Sequence, residues 1–223
     1  MLDILSPLQR RLAGASLIAF VGLLYAQDLV DPTDGVDNDG RIAAVAAHSD
    51  RLLAATVLLI LSSAFMLPAI AVVVALVRER GKWLARIGGG LAVLGALGHV
   101  GVAAYYAALS ALPGGDPAEM TAYLDRLDSS TTAGIVIVPA IAGFALGVFT
   151  LGFALARSRV LPAWAGAVTG LALAIEIAHV QPWPQIDLAQ TVAVLPFVWL
   201  AYRLFDIPQA DAERAPRARP LEA

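Results

Sequence analysis

Six apolar runs dominate this sequence and leave it few ways to fold. They read as 12–30, 52–77, 83–111, 132–156, 160–180 and 188–205. About 20 apolar residues in a helix cross a ~30 Å hydrocarbon core. Backbone amides cannot stay unpaired in lipid, so each run is expected to be helical. The predicted fold class is therefore all-α: a polytopic membrane helix bundle of six transmembrane helices. A single transmembrane domain would cover 1–205, followed by a disordered cytoplasmic tail over 206–223 that carries Pro208, Pro216 and Pro220. Composition agrees, with 59% hydrophobic and 15% charged residues against about 45–50% and about 25% in soluble domains. The absence of cysteine excludes disulfides, thiolate metal sites, c-type haem attachment and thiol catalysis.

Arg10-Arg11 followed by an apolar stretch also describes a signal peptide, with Leu24-Tyr25-Ala26 as a weak cleavage site. The run continues smoothly to Gln27 and Asp28, which favours a retained span; cleavage after residue 26 would leave five. Orientation follows from the basic residues. Twelve of the 15 Lys and Arg residues fall on the side of the termini, and only Arg41, Arg51 and Arg126 fall on the other. The positive-inside rule then gives an N-in, C-in topology. The outer side carries most of the carboxylates, including Asp28, Asp31, Asp34, Asp128 and Asp187, and would attract cations.

Two outer amphipathic helices are expected. Asp116-Pro117-Ala118-Glu119 reads as a capping box with proline at the first helical position, and Met120, Tyr123, Leu124 and Leu127 recur at helical spacing. A weaker pattern runs from Arg41 to Ser49, with Ile42, Val45 and Ala46 as its apolar face. Before it, Asp31-Pro-Thr-Asp34-Gly-Val-Asp37-Asn-Asp39-Gly40 superficially suggests a calcium loop. Placing Gly40 at the invariant glycine puts Gly35 at the first ligand position and Ala46 at the bidentate glutamate. A solvated Asp- and Gly-rich turn explains the run better.

The chemistry is concentrated in few residues. Glu176-x-x-His179 lies in the fifth run, and His99 holds the matching place in the third, where Gly90-Leu91-Ala92…His99-Val100 parallels Gly170-Leu171-Ala172…His179-Val180. Trp83 and Trp164 mark the inner interface of these runs. From them, His99 and His179 lie about 24 and 22 Å along their helices at 1.5 Å per residue. Both belong to the outer leaflet, on helices running the same way. Small residues should bring these helices together. Gly88, Ala92, Gly95, His99 and Ala103 share a stripe with Tyr106 above it. Ala165, Thr169, Ala172, Glu176 and His179 form another, and Ala140, Gly143, Gly147, Thr150 and Ala154 a third. If the third, fourth and fifth spans are mutual neighbours, the polar groups converge.

Four chemistries suit such a constellation. Ionisable groups inside a membrane are costly and mark function by default, but polar groups between helices also serve packing alone. Glu176 would act as general acid in a membrane enzyme on a lipophilic substrate, assisted by a histidine. His99, Glu176, His179 and Tyr106 would bind a small ligand, cation or proton. His99 and His179, with His48 and Glu176, would ligate zinc or copper. The i, i+3 spacing of Glu176 and His179 also occurs in di-iron bundles, but Ala96 stands where a second glutamate is needed. As cofactors, a divalent metal or haem b follows from the same residues: His99 and His179 at equal depth suit bis-histidine ligation. The b561-type cytochromes also have six spans but use four histidines for two haems, so three histidines allow one haem at most.

Ala-Ala-His48-Ser-Asp-Arg51-Leu-Leu, Leu-Pro68-Ala-Ile and Arg157-Ser-Arg-Val-Leu-Pro162-Ala-Trp164 resemble segments of a loose group of uncharacterised, about six-span integral membrane proteins of high-GC bacteria. The resemblance covers most of 12–205. It implies topology and a bacterial plasma (inner) membrane location, and no activity. The expected function is an outward-facing intramembrane His/Glu site that binds or passes a small ligand, cation or proton. Membrane enzyme, haem or metal protein, and structural or partner subunit are the alternatives. Expected partners are the lipid bilayer and a small ligand or cation from the outer face, with no nucleic acid.

Overall fold

The computed structural model describes residues 5–112, 114–177 and 188–206, with the backbone alone described at Val136, Pro139, Glu176 and Ile177. Among the described residues there are eight helices and no strand. They are α1 (Pro7–Val30), α2 (Asn38–Ala47), α3 (Ser49–Leu76), α4 (Lys82–Leu109), α5 (Pro117–Asp128), α6 (Thr131–Arg157), α7 (Trp164–Ile177) and α8 (Leu188–Phe205). Five of them (α1, α3, α4, α6 and α8) are long and apolar enough to cross a membrane. The fifth predicted span appears as the shorter apolar helix α7, and its last residues, 178–180, lie outside the described residues. The chain is thus an all-α bundle with the architecture of a multi-pass membrane protein. Of the predicted tail, 207–223 lies outside the described residues.

The six apolar helices pack in chain order. α1 lies on α3, α3 on α4, α4 on α6, α6 on α7 and α7 on α8, and α8 returns to α1. That closes a ring. Each helix keeps one apolar face inward and one outward, as lipid-facing helices do, since hydrocarbon outside is no penalty to a leucine. On α3, Leu59, Met66 and Val73 are buried while Leu53, Val57, Ile60 and Phe65 are exposed. The interior pairs α1 with α3 through Ser62, whose buried hydroxyl donates to the carbonyl of Phe20 at 3.1 Å.

The tightest packing joins α4 to α6. An added Cβ on Gly95 would come within 2.6 Å of the Phe144 backbone nitrogen, and one on Gly147 within 2.5 Å of the Ala92 nitrogen. One on Gly143 would come within 2.9 Å of the Leu91 carbonyl oxygen. Here the backbones themselves touch, which only residues without side chains permit. Gly90, by contrast, has nothing near it.

Local signals set the helix ends. Ser6 and Gln9 form a reciprocal capping box at the start of α1, ahead of Pro7. At the far end Arg51, in the first turn of α3, donates to the Val30 and Leu29 carbonyls at 3.2 and 3.4 Å, placing a cation on the C-terminus of α1. Asp116 caps α5 by accepting from the Ala118 amide, but no reciprocal bond from Glu119 forms. The expected capping box is therefore half present. α2 begins at Asn38, three residues earlier than expected, because Asp37 caps it by accepting from Gly40. Its buried residue is Val45, and Ala46 is exposed.

The two amphipathic helices cover one end of the bundle together. Val45 of α2 and Leu124 of α5 bury against Leu52 and Leu109, near the start of α3 and at the end of α4. Polar bonds between the two helices complete the cap. Asn38 donates to Asp125 at 2.8 Å, Thr121 to Asp39 at 2.5 Å, and Arg41 pairs with Asp128 at 3.3 Å.

Candidate functional site

Under this cap the bundle encloses a cavity of about 610 Å³. Its mouth is lined by Asp28 in the last turn of α1 and by Asp31 and Asp34 after it, with Arg41 and Asp128 from the cap. Its floor is apolar, built from Leu24, Leu59, Val102, Phe144 and Val148. His99 and Tyr106 of α4 stand between the two zones. Among the described residues four carboxylates face one guanidinium.

Helix geometry explains why α4 supplies this wall. His99, Val102 and Tyr106 are spaced by three and four residues, so they share a face. The His99 ring rests against Phe144 of α6, with centroids 5.1 Å apart. Its Nδ1 is buried and makes no hydrogen bond. Tyr106, about two turns further out, donates its hydroxyl to Asp31. Asp31 also accepts from the Thr33 amide and hydroxyl at 2.8 and 2.7 Å, and from buried Gln27 at 3.4 Å. Asp31 is thus held in place before any ligand arrives. Asp34, nearer solvent, has its carboxyl raised above the ordinary value by partial burial and then by the neighbouring charge of Asp31, opposed by the Gly35 amide.

The same geometry accounts for the calcium-like run. Asp31 serves Tyr106 and Thr33, Asp37 caps α2, and Asp39 accepts from Thr121. These carboxylates point to separate partners. Among the described residues no group of three or more histidines and carboxylates is placed to hold a metal ion.

Two of the residues singled out in the sequence, His99 and Tyr106, meet in the cavity. His48 does not join them; it is an exposed residue at the junction of α2 and α3. Glu176 belongs to α7, but its side chain lies outside the described residues, and so does the whole of His179. α6 lies between α4 and α7 in the ring, touching both. No described residue of α7 lines the cavity, which is closed on that side by α6 and by Gln190 and Ala193 of α8. The haem and metal arrangements that need His179 therefore lie outside the described residues. Sequence reading did not single out Gln27 and Asp31 as a site pair. The available signal was their i, i+4 spacing at the polar end of an apolar helix.

Comparison with family models, with characterised proteins and with solved structures finds no match to this chain.

Proposed function

We propose that this chain is an integral protein of a bacterial plasma membrane, with both termini cytoplasmic, that receives a small organic cation from the outer face into the cavity beneath α2 and α5. The observation that carries this reading is the pairing of an acidic mouth with an apolar floor in one cavity of about 610 Å³. That volume is in the range of small-molecule sites, about 300–1,000 Å³. The carboxylates of Asp28, Asp31 and Asp34 favour positive charge at the entrance. Leu24, Phe144 and Val148 favour a hydrocarbon body below it. A bare metal ion would use only the mouth, and there Asp31 already accepts from Thr33 and Tyr106. An amine with an apolar substituent uses both zones. The unpartnered Nδ1 of His99 supplies a polar contact, or a proton station, at the boundary. The excess of basic residues on the side of the termini supports the orientation.

Thermal unfolding of the purified protein in uncharged detergent, with alkylammonium ions of increasing chain length, tests this reading. Stabilisation should grow with chain length, exceed that from sodium at equal ionic strength, and fall in Asp31→Asn. Equal stabilisation by sodium and by every alkylammonium ion sinks it. Uptake into sealed vesicles then separates a carrier, which accumulates the ion, from a receptor, which only binds it.

A further inference from the structure

At the opposite end of the bundle, the turn after α3, the turn after α6 and the last turn of α8 surround an open groove of about 1180 Å³. Four arginines line it: Arg80, Arg157, Arg159 and Arg203. Among the described residues no carboxylate does. Its walls are apolar, with Leu84, Phe153, Val160 and Leu161 among them.

The helix dipole accounts for part of this charge. Arg157 and Arg203 lie in the last turns of α6 and α8, where a cation faces unpaired carbonyls. It does not account for Arg80, in the turn between α3 and α4, or for Arg159. The backbone of Arg159 is left-handed, with φ 61°, a conformation that glycine adopts without penalty and arginine does not. A position that suits glycine holds a guanidinium at the groove. None of the four guanidinium groups pairs with another described residue. Four exposed arginines without a partner among the described residues thus share an apolar-walled groove, an arrangement that favours an anion.

The surroundings identify the anion. At the same end of the bundle, Trp164 of α7 packs edge-on to Trp199 of α8 at 5.8 Å between centroids, and Tyr202 lies 5.5 Å from Trp199. All three are exposed on the outside of the bundle, as aromatic side chains are where a protein crosses the headgroup layer. A ligand that reaches this groove from the bilayer carries its charge at the depth of the arginines and its hydrocarbon along Phe153 and Leu84.

We propose that this groove binds an anionic phospholipid, its phosphate oxygens held by the guanidinium groups and an acyl chain laid on the apolar wall. Guanidinium forks match phosphate geometry, and basic pockets between helices at the inner membrane face recognise anionic headgroups. Four cations suit a headgroup with two phosphates better than one with a single phosphate. This site is separate from the outer cavity and stands whether or not that cavity takes a cation.

The test titrates the full-length purified protein in uncharged detergent with lipid in mixed micelles, read by tryptophan fluorescence and by lipid retention in native mass spectrometry. Affinity should fall in the order diphosphatidylglycerol, phosphatidylglycerol, phosphatidylcholine. Each arginine near the surface contributes about fivefold. The double variant Arg157→Gln, Arg203→Gln should therefore bind diphosphatidylglycerol about 25-fold more weakly. Arg159→Gly, which relieves the left-handed backbone, should lose about fivefold in affinity while melting no lower than the parent. That separates a binding role from a structural one. Inorganic pyrophosphate distinguishes the two sources of phosphate: weak binding beside tight diphosphatidylglycerol supports a lipid site, whereas equal affinity for the two overturns it. Undiminished affinity in both variants, or affinity for phosphatidylcholine equal to that for the anionic lipids, also overturns the proposal.

Discussion

Helices α4 and α6 meet in two ways along their length. From Gly88 to Gly98, α4 presses its backbone onto α6 through glycine and alanine, with Gly143 and Gly147 opposite. From His99 outward, the facing positions become His99, Val102 and Tyr106, and the two helices no longer fill the space between them. Where side chains are absent, backbones approach and dispersion holds the helices together. Where an imidazole and a phenol stand instead, the helices line a cavity that extends to the carboxylates beyond α1. One helix pair thus supplies both a close-packed seam and a chamber wall. Stability should concentrate in the first region and ligand response in the second.

The largest effect should follow from attacking the seam. Gly95→Leu would force a side chain against the Phe144 backbone and should cost about 3 kcal/mol or more, through overpacking that cannot relax. Loss of the monodisperse species in size-exclusion chromatography would report it. Gly90→Leu, with open space around it, should change stability by less than about 0.5 kcal/mol. Equal damage from both variants would mean that the seam is no tighter than the lipid-facing surface.

A smaller loss is expected at the chamber wall. Tyr106→Phe removes the hydrogen bond to Asp31. A hydrogen bond to a charged acceptor contributes about 1.5–3 kcal/mol, and the Thr33 bonds to Asp31 remain. The low end, about 1.5 kcal/mol, should appear as a lowered denaturant midpoint. His99→Leu sharpens the contrast further. It removes a buried nitrogen without a partner, so stability should stay within about 1 kcal/mol of the parent while alkylammonium binding weakens. A large loss of stability with unchanged binding would move His99 from the chamber to the packing.

The smallest effect should come from Asp34→Asn, and its pH dependence gives its sign. The folded carboxyl is raised above its ordinary value of 3.8, so the folded state holds this proton more tightly than the unfolded state does. The charged form therefore costs stability above the folded pKa, and the cost disappears as pH falls below 3.8. Asp34→Asn should melt slightly higher than the parent at neutral pH and alongside it in acid. A variant that melts lower at neutral pH would show that the Asp34 charge supports the fold.

Element type was legible in the sequence for a physical reason. Lipid tolerates few backbone solutions, so long apolar runs translate directly into helices, and α3, α4, α6 and α8 begin and end within about three residues of their predicted bounds. The outer helices were legible from Asp116-Pro117 and from the period of Ile42 and Val45. Glycine and alanine stripes announced that α4 and α6 would approach closely. The site was less legible, because its partners come from distant segments: Asp31 reaches Tyr106 across 75 positions and Asn38 reaches Asp125 across 87. Neither pairing leaves a local pattern.

Sequence alone therefore determined the all-α membrane architecture, the two capping helices and the sorting of charge between the two ends, since each follows from solvent and backbone rules acting within one segment. The tertiary structure decided which helices are neighbours. It placed α6 between α4 and α7, drew Asp31 rather than His48 toward the α4 face, and left a cavity where the seam's small residues give way to His99. Those outcomes depend on how six similar apolar cylinders choose partners, and side-chain size at the contact, not hydrophobicity, makes that choice.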